Sequence, residues 1–359
     1  MHIIVLPYLP LREAVAVGGW RLIPAQRPAS EAFVDEDICA KAQGLLRLYG
    51  AGAGARIAGA LAAPPGGRIG DDVPVDQMTE LRRAIVVGLL EGNPTPPALA
   101  EDQEAVDPNG GWKSATSDNA ALWGHPIDDS GYTATEYGAM VKTLSGGHNV
   151  LHEVSVSITP PTELPTPFMY GFFDGVYSDA VFAVLAAGEP RSRRLGRAID
   201  WLDLAWRNSP SVTPEVRIVL LRTGFEVLFG NDNMYVVRDE LSALLDGEDV
   251  ARQERTWTTL AGKAQTAELS DLGWWFMRFA FLRNAIMHGD EVDPTMFEHE
   301  GRAHIWLGES RLREAIKALV ARSGHPTVLL DRYERERQER VKRAAQLLAE
   351  AEDGDERPD

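Results

Sequence analysis

The stretch DLGWWFMRFAFLRNAIMHG, residues 271–289, decides how the second half of this 359-residue chain is read. Its apolar residues fall at helical spacing in two neighbouring stripes. Trp275, Phe279, Leu282 and Ile286 form one, and Phe276, Ala280 and Met287 the other. A helix apolar on most of its circumference is buried on most of it, in a bundle centre or at a subunit interface. Arg283 falls in the second stripe. A guanidinium among aromatics is unfavourable unless an anion pairs with it, so it marks either an ion pair or a site for something negative. His288 closes the helix and Gly289 is a natural residue to end it. The negative end of the helix dipole favours the protonated imidazole. Arg283 and His288 are separated by an axial rise of about 7.5 Å, so a long guanidinium and a terminal imidazole can converge on one phosphodiester, one charge fixed and one titratable near neutrality.

Upstream and downstream of this stretch the periodicity stays helical. Helices are expected at Tyr177–Ala187, Arg193–Arg207, Pro214–Phe229, Met234–Leu245, Glu254–Ala264, Leu269–His288 and Ser310–Arg322. Prolines cluster at 159–167, where the domain boundary is placed. Before it, the chain reads as mixed and loop-rich. Two extended runs, Ile3–Leu9 and Ala14–Pro24, are followed by a helix at Glu31–Tyr49 and a Gly/Ala/Pro connector at Gly50–Gly70. A helix begins near Asp76 and stops at Gly92, residues 93–148 are mostly loop, and Val150–Ile158 is a strand. The charged stretch DRYERERQERVKRAAQLLAEAE reads as a solvated helix. The expected class is therefore α+β: a mixed N-terminal domain with β-strands (1–165), an all-α bundle (166–325), and a charged helical tail (326–359) with a disordered end.

The composition supports two packed domains, with 44% hydrophobic residues and nine Trp. The single Cys39 excludes an internal disulfide framework and any cysteine-rich zinc module, and with an N-terminus unlike a signal peptide it points to the cytoplasm. No 18-residue apolar run suggests a membrane span. A net charge of -17 excludes a protein that coats nucleic acid indiscriminately, but not a small basic site.

Three other patterns carry no expected site. The glycines of Gly50-Ala-Gly-Ala-Gly-Ala55 match a dinucleotide fingerprint, but a helical run precedes them and Pro64-Pro65 follow. His148 and His152 enter a strand, where four residues span about 13 Å, too far for one metal. His299 and His304 flank a turn and are expected at the surface. No metal site and no cofactor are expected.

Arg283-Asn284-Ala285-Ile286-Met287-His288 resembles the R-x4-H motif of HEPN domains, in which a polar residue commonly follows the Arg. The aromatic helix around it, His-Gly-Asp at its end, and the upstream segments Trp206-Arg-Asn-Ser-Pro and Arg222-Thr-Gly-Phe-Glu226-Val-Leu-Phe are similar to the Apea-like HEPN group. The likeness covers about residues 170–322. HEPN toxins paired with a nucleotidyltransferase antitoxin usually carry Tyr two residues after the His; Asp290 stands there, which speaks against that mode of control.

The resemblance implies a metal-independent endoribonuclease, of the kind found in bacterial toxin and anti-phage systems. His288 would be the general acid/base, Arg283 would stabilise phosphoryl charge, and Asn284 would orient the His or the phosphate. Glu226, a charge among apolar neighbours, is the candidate acid facing Arg283; whether it is catalytic or supporting is left open. Arg191, Arg193, Arg194 and Arg197 form the densest basic cluster and are the candidate contacts to the RNA backbone. The expected partners are RNA and a second copy of the chain. The apolar surplus of residues 271–288 suggests a homodimer, and a protein or phage-derived trigger would act on the N-terminal domain. The competing reading is a non-catalytic HEPN module that binds a partner protein or a nucleotide.

Overall fold

The computed structural model describes residues 2–6, 9, 11, 13–24, 59–65, 75–92, 120, 122–128, 131–132, 173–207, 211–247, 250–258, 263–323, 335 and 338. The expected helix at Glu31–Tyr49, the strand at Val150–Ile158, His148 and His152, the boundary at 159–167 and nearly all of the charged tail lie outside them; Arg335 and Gln338 of that tail are helical. The class is α+β.

An antiparallel sheet carries the N-terminal half. Its strands are β1 (His2–Leu6), β2 (Val15–Val17), β3 (Trp20–Pro24), β4 (Ala60–Ala63), β5 (Trp123–Asp128) and β6 (Gly131–Tyr132), in the order β2-β3-β4-β1-β5-β6. Ile4 sits opposite Ala62 on one side and Gly124 on the other, and Leu22 joins Ala62 to Val15. The expected single extended run at Ala14–Pro24 is a hairpin. Gly18 and Gly19 have φ of 58° and 79°, which a two-residue turn between tightly paired strands requires. Gly18 also donates its N–H to Asp179 Oδ1 at 2.6 Å. A Cβ there would lie 2.0 Å from the Phe182 ring, so only glycine lets this turn seat on the helix that carries both residues.

One expected connector is corrected, and the mostly-loop stretch 93–148 contains strand. Ala60–Ala63, read as part of a connector, is a strand with both neighbours paired and every residue buried. Alanine has little intrinsic preference for strands, so only the flanking β1 and β3 define it. Trp123–Asp128, read within a loop, is β5, paired to β1.

Seven helices complete the described architecture: α1 (Val75–Gly92), α2 (Gly175–Ala186), α3 (Pro190–Ala205), α4 (Pro214–Phe229), α5 (Met234–Leu245), α6 (Asp271–His288) and α7 (His304–Ala321). Their starts follow local chemistry. Asp174, Thr213, Asn233 and Ser270 each accept a backbone N–H of the first turn, and Pro190 and Pro214 occupy first-turn positions where no donor is needed. Both α4 and α6 end in the same way. Gly230 and Gly289 are left-handed, and the next residue donates back to the carbonyls of Glu226 and Ala285. α1 packs on α2 and α3, and α4 packs on α3, α6 and α7. Arg82 and Arg83 of α1 form two-pronged pairs with Asp203 and Asp200 of α3. One apolar core runs from Leu6, Trp20 and Leu22 through Leu81 and Ile85 to Phe225, Phe276 and Ile316.

The helix expected at Glu254–Ala264 is a β-hairpin, so the C-terminal half is not all-α. β7 (Gln253–Thr258) pairs with β8 (Ala264–Leu269), with Thr256 opposite Thr266 and their hydroxyls 2.9 Å apart. The alternation in Gln-Glu-Arg-Thr-Trp-Thr puts Trp257 on the inner face, where it forms a small core with Leu269 and Met277. A second small pair, β9 (Glu298–His299) and β10 (Arg302–Ala303), leads into α7.

This hairpin accounts for the apolar circumference of α6. Trp275, Phe276 and Phe279 face the main core around Phe225, whose ring meets theirs edge-on at 5.5–6.4 Å. Met277, with Trp274 and Phe281 beside it, faces the hairpin. The aromatic surplus that suggested a subunit interface is absorbed within one chain. Of the two stripes, Met287 alone is largely exposed and Ile286 is partly so. His299 and His304, expected at the surface, are buried. The 3-10 turn Pro294–Phe297 and the β9–β10 pair fold the chain back over α6, and the His304 ring stacks on Phe279 at 5.8 Å.

Candidate functional site

The site is built where the C-terminal parts of α4 and α6 approach each other. Arg283 and Asn284 lie in the last turns of α6, and His288 is its last residue, exposed beside Gly289. From α4, Glu226 points its Oε1 at two guanidiniums. Arg222 Nη1 is 3.1 Å away on the same helix, and Arg283 Nη2 is 3.8 Å away. The spacing of Arg222 and Glu226, one helical turn, puts both on the face turned toward α6.

Arg222 is nearly sealed, its side chain 3% exposed, with its guanidinium 4.9 Å above the centre of the Phe276 ring. Burial lowers its pKa to about 10. Glu226 and Asp232 oppose that shift, and the neighbouring Arg283 adds to it. Arg283 is more open, its side chain 26% exposed. Its Nη1 donates to Asn284 Oδ1 at 3.1 Å, so Asn284 steadies the guanidinium. Arg283 Nε is a buried donor with no hydrogen-bond partner, and Arg222 Nη1, although 3.1 Å from Glu226 Oε1, is not aligned for a hydrogen bond to it. Two cations thus share one close carboxylate.

Glu226 also borders a cleft of about 510 Å³ lined by Arg194, Arg197, Val227, Gly230, Asn231 and Asp232. A smaller recess, about 240 Å³, continues from it along Pro190, Arg193, Arg194 and Arg197. The four arginines of the basic cluster are all exposed on the first turns of α3. The structure therefore puts Arg194 and Arg197 on the cleft that Glu226 borders and Arg193 on the smaller recess only, while Arg191 lines neither. Arg194 lies over the end of α4. A Cβ on Gly230, whose φ is 68°, would come within 2.3 Å of its Nη1, so the left-handed glycine also makes room for the guanidinium. Arg193 is partly committed, donating to the carbonyl of Gly188 at 2.7 Å.

Arg283, Asn284 and Glu226 are thus brought together, and Glu226 alone of the three lines the cleft of Arg194 and Arg197; His288 stands at the exposed end of the helix that carries Arg283. Arg222 was not among the expected site residues. Its signal was present: an Arg and a Glu one turn apart within the apolar run Leu220-Leu-Arg-Thr-Gly-Phe-Glu-Val-Leu-Phe229. Among the described residues no group of three or more His, Cys, Asp or Glu is arranged to hold a metal ion. Nor is any described helix long and apolar enough to cross a membrane. Comparison of the chain with protein-family models, with curated proteins and with solved structures found no match.

Proposed function

We propose that the protein is a metal-independent endoribonuclease of the HEPN type. The observation that carries this reading is the partial exposure of Arg283 beside Glu226, which itself lines a cleft with Arg194 and Arg197. A closed, dry Arg283–Glu226 pair would have suited a purely structural role. A loose contact of 3.8 Å, with a guanidinium still open to solvent, suits a cation waiting for a phosphate.

RNA carries its own nucleophile. The 2′-OH attacks the adjacent phosphorus, the P–O5′ bond breaks, and a 2′,3′-cyclic phosphate and a 5′-OH result. This needs one proton removed, one delivered, and charge stabilised on the phosphoryl oxygens. His288 serves as the proton carrier, since its exposed position lets it exchange with solvent between turnovers. Arg283 stabilises the phosphoryl oxygens and Asn284 fixes its guanidinium plane. Arg194 and Arg197 guide the strand along the cleft, and the acidic remainder of the molecule keeps resting affinity for RNA low. The setting we propose is a cytoplasmic defence or toxin-like system. Its N-terminal half reports to α3 through the Arg82–Asp203 and Arg83–Asp200 pairs. A homodimer belongs to this proposal as well, now resting on the exposed end of α6 at Met287 and His288 rather than on its aromatic stripes.

The test is incubation of the full chain with a mixed RNA pool, with cut ends mapped beside an Arg283→Ala control. Discrete cuts that vanish in the control support the reading. An RNA pool left intact under all conditions would favour a non-catalytic module, for which the Glu226–Arg283 contact is a structural pair.

A further inference from the structure

The two guanidiniums around Glu226 are more than an ion pair requires. Arg222 and Arg283 bring two positive charges to one close carboxylate, and both ion pairs are made to its Oε1. A single pair neutralises one of them. Arg222, over the face of the Phe276 ring, is buried deeply enough that its charge is disfavoured, and Arg283 is held more loosely, at 3.8 Å. Arg283 Nε is a buried donor without an acceptor, and Arg222 Nη1, 3.1 Å from Glu226 Oε1, makes no aligned hydrogen bond to it; an unmet charged donor in a protein interior is costly. The acceptor geometry that would satisfy both is an anion with several oxygens presented between α4 and α6. Glu226 itself stands where that anion would sit, and its side chain lies on the wall of the large cleft, with space to swing into.

We infer that Arg222 and Arg283 form a two-armed phosphate clamp, and that Glu226 is its internal occupant, displaced into the cleft when a phosphodiester enters. The choice of ligand rests on the ribonuclease reading and deepens it: Arg222 becomes a substrate-binding residue, and Glu226 a competitor that sets resting affinity. A phosphate oxygen pair matches the fork of a guanidinium better than one carboxylate oxygen shared between two. With Glu226 moved aside, Arg222 gains access to the cleft while keeping Phe276 beneath it. The occupant also explains how an acidic protein can hold such a site without binding every polyphosphate it meets.

The probe is inorganic phosphate, titrated into the full chain at low ionic strength and followed by phosphorus NMR and by thermal unfolding. Removing the competing charge in Glu226→Gln is expected to tighten phosphate binding about tenfold or more, since charge-assisted contacts to both guanidiniums are then uncontested. That variant without phosphate should melt below the wild type, and phosphate should restore it. Adding Arg222→Lys to Glu226→Gln keeps the charge but removes the fork, and should cancel most of the gain. Phosphate affinity within about twofold of wild type in Glu226→Gln would overturn the clamp, because a real competitor's removal must show in binding. So would a gain that survives Arg222→Lys, or a destabilised Glu226→Gln that phosphate does not rescue. None of these readouts needs RNA to be cut. A protein that cleaves RNA but shows no gain loses only the clamp, and one that shows the gain without cleaving loses only the ribonuclease reading.

Discussion

Replacing His304 with Phe should flatten the acid side of the stability curve. The His304 ring is fully buried, stacked on Phe279 at 5.8 Å and lying 6.4 Å from Trp275, and neither of its nitrogens has a partner. Burial, with the nearby His299 and Arg278 adding to it, lowers its pKa from 6.5 to about 4. The folded state therefore holds the imidazole neutral where the unfolded chain already protonates it. Stability from this group is complete above about pH 6.5 and is lost as pH falls toward 4. For those two pKa values the loss between pH 7.5 and pH 5 is about 2 kcal/mol. His299, also lowered by burial, acts in the same direction, opposed by Glu300 at 3.9 Å. Phe keeps the stacked shape, adds no proton site and removes two unsatisfied nitrogens. Urea unfolding of wild type and His304→Phe at both pH values isolates the effect, since carboxylate titration is common to the two proteins. The wild type should lose about 2 kcal/mol more than the variant on acidification. Equal losses would refute the buried, neutral imidazole.

Other outcomes follow from the same contacts. Cleavage of RNA should survive excess EDTA and leave 2′,3′-cyclic phosphate or 3′-phosphate ends on sequencing gels; loss on chelation with recovery in Mg²⁺ would point to other chemistry. Phe279→Glu should unfold the chain rather than split a dimer. Burying that carboxylate against Trp275 and Phe225 costs several kcal/mol, and a folded variant by circular dichroism would contradict the packing. Arg82→Ala removes a two-pronged partner from the buried carboxylate of Asp203, with Arg207 left 3.7 Å away, and should lower stability by about 1–3 kcal/mol in urea.

Helix ends were readable because their chemistry is local. The expected Pro214–Phe229 matches α4 to the residue, and α6 ends at the expected His288 before Gly289 but starts at Asp271, two residues after the expected Leu269. The apolar circumference of α6 was equally plain, but its meaning depended on β7 and β8. Their charged, threonine-rich sequence shows one inward Trp257 and could pass for an amphipathic helix. Ala60–Ala63 lacks every local mark of a strand and becomes one through its neighbours. His299 and His304 looked polar and turn-flanked; their burial comes from the return of α7 across Phe279. In the site, Arg283 and Glu226 were found as charges stranded among apolar residues. Arg222 carries the same signal, but its role rests on the approach of α6 to α4, which the sequence does not display.

The central claim is that Arg283 and His288 do chemistry on RNA, and single-turnover cleavage by the full chain tests it most directly. With an oligonucleotide bearing a mapped cut site, Arg283→Ala and His288→Ala should each slow cleavage by about a hundredfold or more, with unchanged melting temperature. Cleavage at the wild-type rate by either variant would contradict the account.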